Sequence, residues 1–217
     1  MTEVKFFQSR DEWLHQRTSC IGGSDASAIV GLNPYMTNVD LWEIKTGRRE
    51  QADISNVEAV RYGIEAESLL RDLYRLDFPD MDLQYAPNNM WLNDKYPFAH
   101  ASLDGWLTDM DGRKGVWECK TTEILQSMQK EKWKGRIPDN YYIQVLHYLI
   151  VTEFDFGVLK AQIKYNYGGN INLSTKHYTI EREEVKDDID YLIEAEAKFY
   201  EYVKTDTRPP LVLPDIF

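Results

Sequence analysis

Gly115-Val116-Trp117-Glu118-Cys119-Lys120-Thr121 is the segment whose reading decides the fold. Its β-branched and aromatic residues favour a strand. Side chains alternate along a strand, so Val116, Glu118 and Lys120 share one face, and Trp117 and Cys119 share the other. A carboxylate and an ammonium on a largely apolar central strand are costly unless they are used. The alternative is an exposed edge-strand ion pair worth ~0–1 kcal/mol. The residues upstream favour use. Ala101-Ser102-Leu103-Asp104-Gly105-Trp106 reads as a preceding strand, and Asp111-Gly112 supplies the turn between the two. Asp104 and Glu118 then fall on adjacent strands. Close carboxylates repel unless a cation lies between them, and oxygen ligands with open positions suit Mg²⁺ or Mn²⁺. Lys120 beside such a cation would stabilise charge on a phosphoryl oxygen or orient a water.

Further out, the periodicity predicts short helices over 11–16, 26–30 and 39–45, the last capped by Asn38 and closed by Gly47. A longer helix over 56–76 carries an apolar stripe of Val60, Ile64, Leu69, Leu70 and Leu73. A β-meander follows, with strands near 83–85, 89–92, 98–107 and 115–121. Asp139 can cap a helix to about Val151, with Gln144, His147 and Tyr148 on one face and Val145, Leu146 and Leu149 on the apolar stripe. Strands over 156–165 and 176–180, joined through Gly168-Gly169, precede a final helix over 185–203, with Ile189, Leu192 and Phe199 inward. The expected class is α+β, a mixed α/β sandwich in which a central mixed sheet is flanked by helices, all in one domain over 1–217.

Composition narrows the function classes. The 217 residues are 43% hydrophobic, enough for a proper core. No run approaches the roughly 20 apolar residues of a membrane span, and Met1 to Arg10 lacks a signal-peptide core, so the expected location is cytoplasmic. Cys20 and Cys119 are too few and too far apart for a disulfide scaffold or a cysteine metal cluster. The net charge of −11 opposes nonspecific attraction to nucleic acid, so any such contact must come from a local patch.

Three further places carry polar groups in suggestive patterns. Gln144 can face back toward the Glu118 strand and position a water or base; a solvated helix face explains it as well. Glu67 follows Tyr62-Gly63 by one helical turn, where an ordinary exposed glutamate is the alternative. Ile21-Gly22-Gly23-Ser24-Asp25-Ala26 is a glycine turn opening a helix, able to receive a phosphate or simply to cap.

Taken in order, these pieces resemble the lambda-exonuclease/YqaJ family of phage recombination nucleases within the PD-(D/E)xK superfamily. The matching residues are Trp13 with Arg17, Ile21 to Ala26, Leu32-Asn33-Pro34-Tyr35, Leu41-Trp42 through Lys45-Thr46-Gly47, Tyr62-Gly63 with Glu67, Ser102 to Gly105, Glu118-Cys119-Lys120, and Gln144 with His147-Tyr148. Leu103 stands where the superfamily name has proline. The resemblance implies a restriction-endonuclease-like core and a 5′→3′ exonuclease on linear double-stranded DNA. It implies two Mg²⁺ ions, with Mn²⁺ as a substitute, and a homotrimer working beside a single-strand annealing protein. It makes Asp104, Glu118 and the Cys119 carbonyl metal ligands and Lys120 the catalytic lysine. Glu67 and Gln144 would support the second metal or the water. Arg17 and Ser24 would grip a 5′-phosphate, with Ser102 and Trp13 beside it. The competing classes are an endonuclease on the same core and a non-catalytic DNA-end-binding module. Lys130, Lys132, Lys134 and Arg136, interleaved with Trp133, are the expected DNA-contacting stripe; a solubilising loop is the alternative.

Overall fold

Everything in the molecule is arranged around β6 (Lys114–Ile124), the long strand that contains the Glu118 segment. The computed structural model describes residues 1–124, 132–167 and 170–213. Ahead of β6 come β1 (Thr2–Phe6), α1 (Arg10–Thr18), α2 (Gly23–Ile29), α3 (Asn38–Lys45), α4 (Glu58–Asp77), β2 (Asp82–Gln84), β3 (Asn89–Asn93), β4 (His100–Ala101) and β5 (Gly105–Thr108). After it come α5 (Asp139–Thr152), β7 (Phe156–Tyr167), β8 (Asn170–Glu181), a 3₁₀ turn and α6 (Lys186–Lys204).

The main sheet has the order β2-β5-β6-β7-β8. β6 and β7 run parallel, with Glu118 beside Leu159 and Cys119 beside Lys160, while the other pairs are antiparallel. A parallel pair needs a long crossover, and α5 supplies it. The sheet is therefore mixed and flanked by helices, as the α+β expectation has it. The alternation along β6 sorts two cores. Trp117 and Cys119 pack with Ala66, Leu70 and Tyr74 of α4. Val116, on the opposite face, joins a larger core with α2, α5 and α6.

The meander is not continuous. β3 and β4 leave the main sheet for a second, three-stranded sheet in which β3 lies between β1 and β4. The break falls at residues 102–104, where Asn89 acts as a strand in miniature. Its side-chain amide donates to the Leu103 carbonyl at 2.9 Å and its side-chain oxygen accepts from the Leu103 amide at 2.9 Å. Those bonds replace a ladder and free Asp104 from strand geometry.

Several helix details differ from the sequence reading. α3 is capped by Thr37, whose hydroxyl accepts from the Asp40 amide at 3.1 Å, while Asp40 reaches back to the Thr37 amide at 2.9 Å. Asn38 is instead buried, donating to the Pro210 carbonyl at 2.8 Å and accepting from the Val212 amide at 2.9 Å. It clasps the carboxy-terminal tail. α5 starts after Pro138 with no side-chain cap from Asp139, and it is buried on all sides from Ile143 to Thr152. α4 turns a different face inward: Ala66, Leu70, Arg71 and Tyr74 are buried, whereas Ile64, Leu69 and Leu73 are exposed. The sheet offers α4 only a narrow apolar strip, so small and aromatic residues fit where the aliphatic stripe does not. Among the described residues, no helix is long and apolar enough to cross a membrane.

Candidate active site

Glu118 lies on the α5 face of β6 and is 1% exposed. Its Oε1 accepts from Lys120 Nζ at 2.5 Å and from Gln144 Nε2 at 2.9 Å. Its Oε2 is buried without a hydrogen-bond partner. Asp104 arrives from the segment just before β5, whose Gly105 pairs with Trp117, and its Oδ2 accepts from the Cys119 amide at 3.1 Å. Burial, with the Asp104 charge adding to it, pushes the Glu118 carboxyl up to about 8 despite the opposing Lys120. Burial also works against charge on Lys120, but Glu118 and Asp104 outweigh it and hold the ammonium protonated. The Cys119 thiol, turned to the opposite face, is raised by burial and is no nucleophile at neutral pH.

α4 brings a third carboxylate from the other side. Burial, reinforced by Asp104, pushes Glu67 up to about 7 against the pull of Arg71. Arg71, one turn further on, is 5% exposed; it ion-pairs with Glu67, and its Nε donates to the Asp104 carbonyl at 2.9 Å. Its guanidinium also stacks 3.6 Å from the centre of the Tyr85 ring. Sequence reasoning missed Arg71, although its place four residues after Glu67 is the spacing of an intrahelical ion pair.

α5 contributes Gln144 and Tyr148, joined by a 2.7 Å bond from the amide to the phenol oxygen. Gly23, at the start of α2, packs directly on Tyr148: a Cβ there would lie 2.5 Å from a ring carbon. The glycine is therefore required by close approach, and it joins the glycine turn to the carboxylate cluster.

A second group of polar residues lines a cavity of about 310 Å³ that includes Arg17, Ser24, Asp25, Lys45, Arg49 and His100. Arg17 lies 4.3 Å from the centre of the Trp13 ring, and Trp13 Nε1 donates to Ser102 Oγ at 3.2 Å. The structure thus brings Arg17, Trp13 and Ser102 together, with Ser24 on the same cavity wall. Lys45 pairs with Asp25 at 2.8 Å, and Asp25 accepts from the Gly22 amide at 2.9 Å. Burial opposes charge on Asp25, yet Lys45 and the Gly22 amide hold its carboxyl below the usual range. Burial, with Arg17 adding, pushes His100 down to about 3, so it is neutral. Asp25 and Lys45 both fall in segments that carry the resemblance, but neither their pairing nor His100 is read from the sequence.

The basic stripe is not as expected. Trp133 is 4% exposed, stacked near Tyr141 and Tyr178, and its carbonyl accepts from Lys176 at 2.5 Å. It belongs to the core and offers no ring to a base. Lys132, Lys134 and Arg136 are exposed, while Lys130 and the Gly168-Gly169 turn lie outside the described residues.

Whether this cluster suits a metal can be judged from its donors. Among the described residues, no three His, Cys, Asp or Glu side chains form a ready-made metal cage. What the cluster has is crowded carboxylates, one with an orphaned buried oxygen, and the nearby Cys119 main chain. That donor set is all oxygen and incomplete, as suits a hard divalent cation that keeps several waters.

The pattern of the YqaJ-like viral recombinase domain matches residues 12–155. The uncharacterized protein YqaJ of Bacillus subtilis (strain 168) is 35% identical over 194 residues, covering 88% of this chain and 56% of that protein. The chain thus spans little more than half the length of that relative. An alkaline exonuclease (LHK-Exo) from Laribacter hongkongensis superposes with a TM-score of 0.64 at 16% identity, over 90% of this chain and 95% of that one. A phage related exonuclease from Haemophilus somnus 129PT gives 0.51 at 13% identity, over 86% and 96%. These likenesses are likenesses of fold.

Proposed function

Because the chain belongs to the YqaJ-like viral recombinase domain family, we propose that it is a metal-dependent deoxyribonuclease that removes nucleotides 5′→3′ from linear double-stranded DNA. The observation that carries this reading is buried Glu118, with its orphaned oxygen, beside half-buried Asp104 and protonated Lys120. Asp104, Glu118 and the Cys119 carbonyl would hold Mg²⁺, with Glu67 completing a second position and Mn²⁺ able to substitute. The bound ions would supply Lewis-acid activation of a water and of the scissile phosphate. Lys120 adds a fixed positive charge next to the phosphate, where negative charge grows in the transition state. Gln144 orients Glu118 through its amide and leaves its own carbonyl for a water. Arg17 and Ser24 grip the terminal 5′-phosphate, and a guanidinium suits that dianion because it binds through two parallel hydrogen bonds. Trp13 holds Arg17 by stacking and Ser102 by its indole N–H.

LHK-Exo also has a crystal structure in complex with dAMP, a mononucleotide of the class this reaction would release. A closed ring of three copies belongs to the same reading, since enclosure keeps an exonuclease on its duplex. Light scattering that finds only monomer would remove the ring. Linear and closed circular duplexes incubated with Mg²⁺ test the activity itself. Digestion of the linear DNA alone is expected. Cutting of the circle would indicate an endonuclease, and no cutting of either a binding module. Polarity has its own test. Arg17→Ala should slow digestion of a 5′-phosphorylated end by about 10-fold or more while barely changing a 5′-hydroxyl end, in line with a charged hydrogen bond worth ~1.5–3 kcal/mol. An unaltered ratio of the two rates would refute the phosphate pocket.

A further inference from the structure

Arg71 ties together three segments that are distant in sequence. It belongs to α4, yet it contacts the residue ahead of β5 and the residue after β2. A guanidinium is planar, cannot lose its proton in a protein, and offers donors on more than one edge. Here one edge holds Glu67, Nε holds the Asp104 carbonyl, and a flat face rests on Tyr85. One group it bonds is a carboxylate of the cluster, and the other is the main-chain carbonyl of the residue that carries a second carboxylate. Lys120 flanks that cluster from the Glu118 side, and Arg71 flanks it from the Glu67 side. A buried cation with so many fixed partners defines spacing, because moving the Glu67 carboxylate or the Asp104 main chain would strand it.

We infer that Arg71 is a positioning residue that, by tying the Glu67 carboxylate to the main chain of Asp104, sets the separation and aim of the two acidic side chains toward a shared divalent cation. The inference rests on the reading that this cluster holds such a cation. Arg71 acts through its two neighbours and does not itself touch the metal. It also offsets repulsion between the carboxylates without occupying the space that faces Glu118. Tyr85, 40% exposed, keeps the guanidinium flat and so limits it to the one geometry that reaches both partners. A lysine in its place would keep the charge but could not span Glu67 and the Asp104 carbonyl together.

The experiment is calorimetric titration of Mn²⁺ into the wild type, Arg71→Ala, Glu67→Gln and the double variant. Arg71→Ala should weaken Mn²⁺ binding about 10- to 100-fold, the range for lost outer partners of a metal ligand. In the Glu67→Gln background the same change should cost much less, because the shared partner is already altered. Arg71→Lys should fall between Arg71→Ala and the wild type. Binding by Arg71→Ala equal to wild type, or an equal loss in both backgrounds, would overturn the inference. Should Arg71→Ala fail to fold, Tyr85→Leu gives a second route, since it removes only the stack. It should weaken Mn²⁺ binding a few-fold, and unchanged binding would again overturn the inference. If the wild type takes up no Mn²⁺ at all, the cation reading itself falls, and this inference falls with it.

Discussion

Two buried glutamates face α5, and their surroundings differ in one respect that decides what each does. Glu196 of α6 meets His147, whose Nδ1 lies 2.7 Å from its Oε1, while His147 Nε2 lies 2.9 Å from the His100 carbonyl. A carboxylate and a carbonyl both accept, which favours a doubly protonated ring, and the Glu196 charge raises His147 above its ordinary range against burial. Charge is cancelled within the pair. Glu118 also meets a cation, Lys120, but the charge of Asp104 reaches it as well, and Glu67 adds to the excess around Asp104. Each glutamate has one orphaned oxygen. The difference teaches that burial of a carboxylate does not by itself mark a site; the uncompensated charge around it does.

If that contrast is correct, substitutions in the two clusters should fail in opposite ways. The largest effect is expected at the carboxylate cluster. Asp104→Asn or Glu118→Gln should lower the cleavage rate by on the order of 10³-fold, as for loss of a preorganised charge at a reaction centre, while the protein remains folded. Full activity in Asp104→Asn would break the comparison at its centre.

Glu196→Gln should do the reverse. It leaves a buried imidazolium without its counter-charge, which costs about 3–5 kcal/mol. Calorimetry should show a melting temperature roughly 6–20 °C lower at pH 6, using the ~2–4 °C per kcal/mol of a protein this size. Catalysis measured well below that midpoint should stay within a few-fold of wild type. A Glu196→Gln protein as stable as the parent would mean that the imidazolium is not formed.

The smallest effect sharpens the contrast through pH. Burial opposes the charge of His147, but Glu196 overcomes it and holds the ring above its usual 6.5. The stability this gives is complete below pH 6.5 and is lost as pH rises through the folded value. Glu118 is raised from 4.5 to about 8, so the folded chain binds its proton more tightly than the unfolded chain does. Stability therefore falls as pH climbs between about 4.5 and 8. With chelator present, the wild type should lose stability steadily across this range. Glu118→Gln should flatten the slope and melt several degrees higher than wild type at pH 8, roughly 1–2 kcal/mol, with little change at pH 5. A steeper slope in Glu118→Gln would show that the cluster does not hold excess negative charge.

Much of this was legible in the sequence because it depends on local rules. Alternation alone assigned Glu118 and Lys120 to one face of β6 and Cys119 to the other. Gly47 closes α3 with a φ of +74°, as a C′ glycine should. What escaped was settled by partners far along the chain. The break after Ala101 follows from the side chain of Asn89, which no pattern near residue 102 announces. The burial of α4 follows from the narrow strip left by Trp117 and Phe156, so of its aliphatic stripe Leu70 turns into the core while Ile64, Leu69 and Leu73 face outward. Trp133 reads as part of an exposed DNA-contacting stripe because its neighbours are basic, whereas Tyr141 and Tyr178 draw it into the core. β1 was a different kind of miss. Thr2-Glu3-Val4-Lys5-Phe6 alternates as a strand should, and only its place at the start of the chain concealed it.

The clasp between Asn38 and the tail bears on the order in which the molecule can be completed. Asn38 opens α3, the helix that ends in Lys45, and its two bonds reach residues 172 and 174 positions later. Gly31, just past α2, leaves room for the same tail, since a Cβ there would lie 2.8 Å from Val212. Synthesis delivers α2 and α3 well before the tail that follows α6. The cavity wall that α2 and α3 build must therefore wait, with a buried asparagine unsatisfied, until nearly the whole domain has left the ribosome. A nascent chain would thus complete this cavity wall only after the strands of its main sheet have been synthesised.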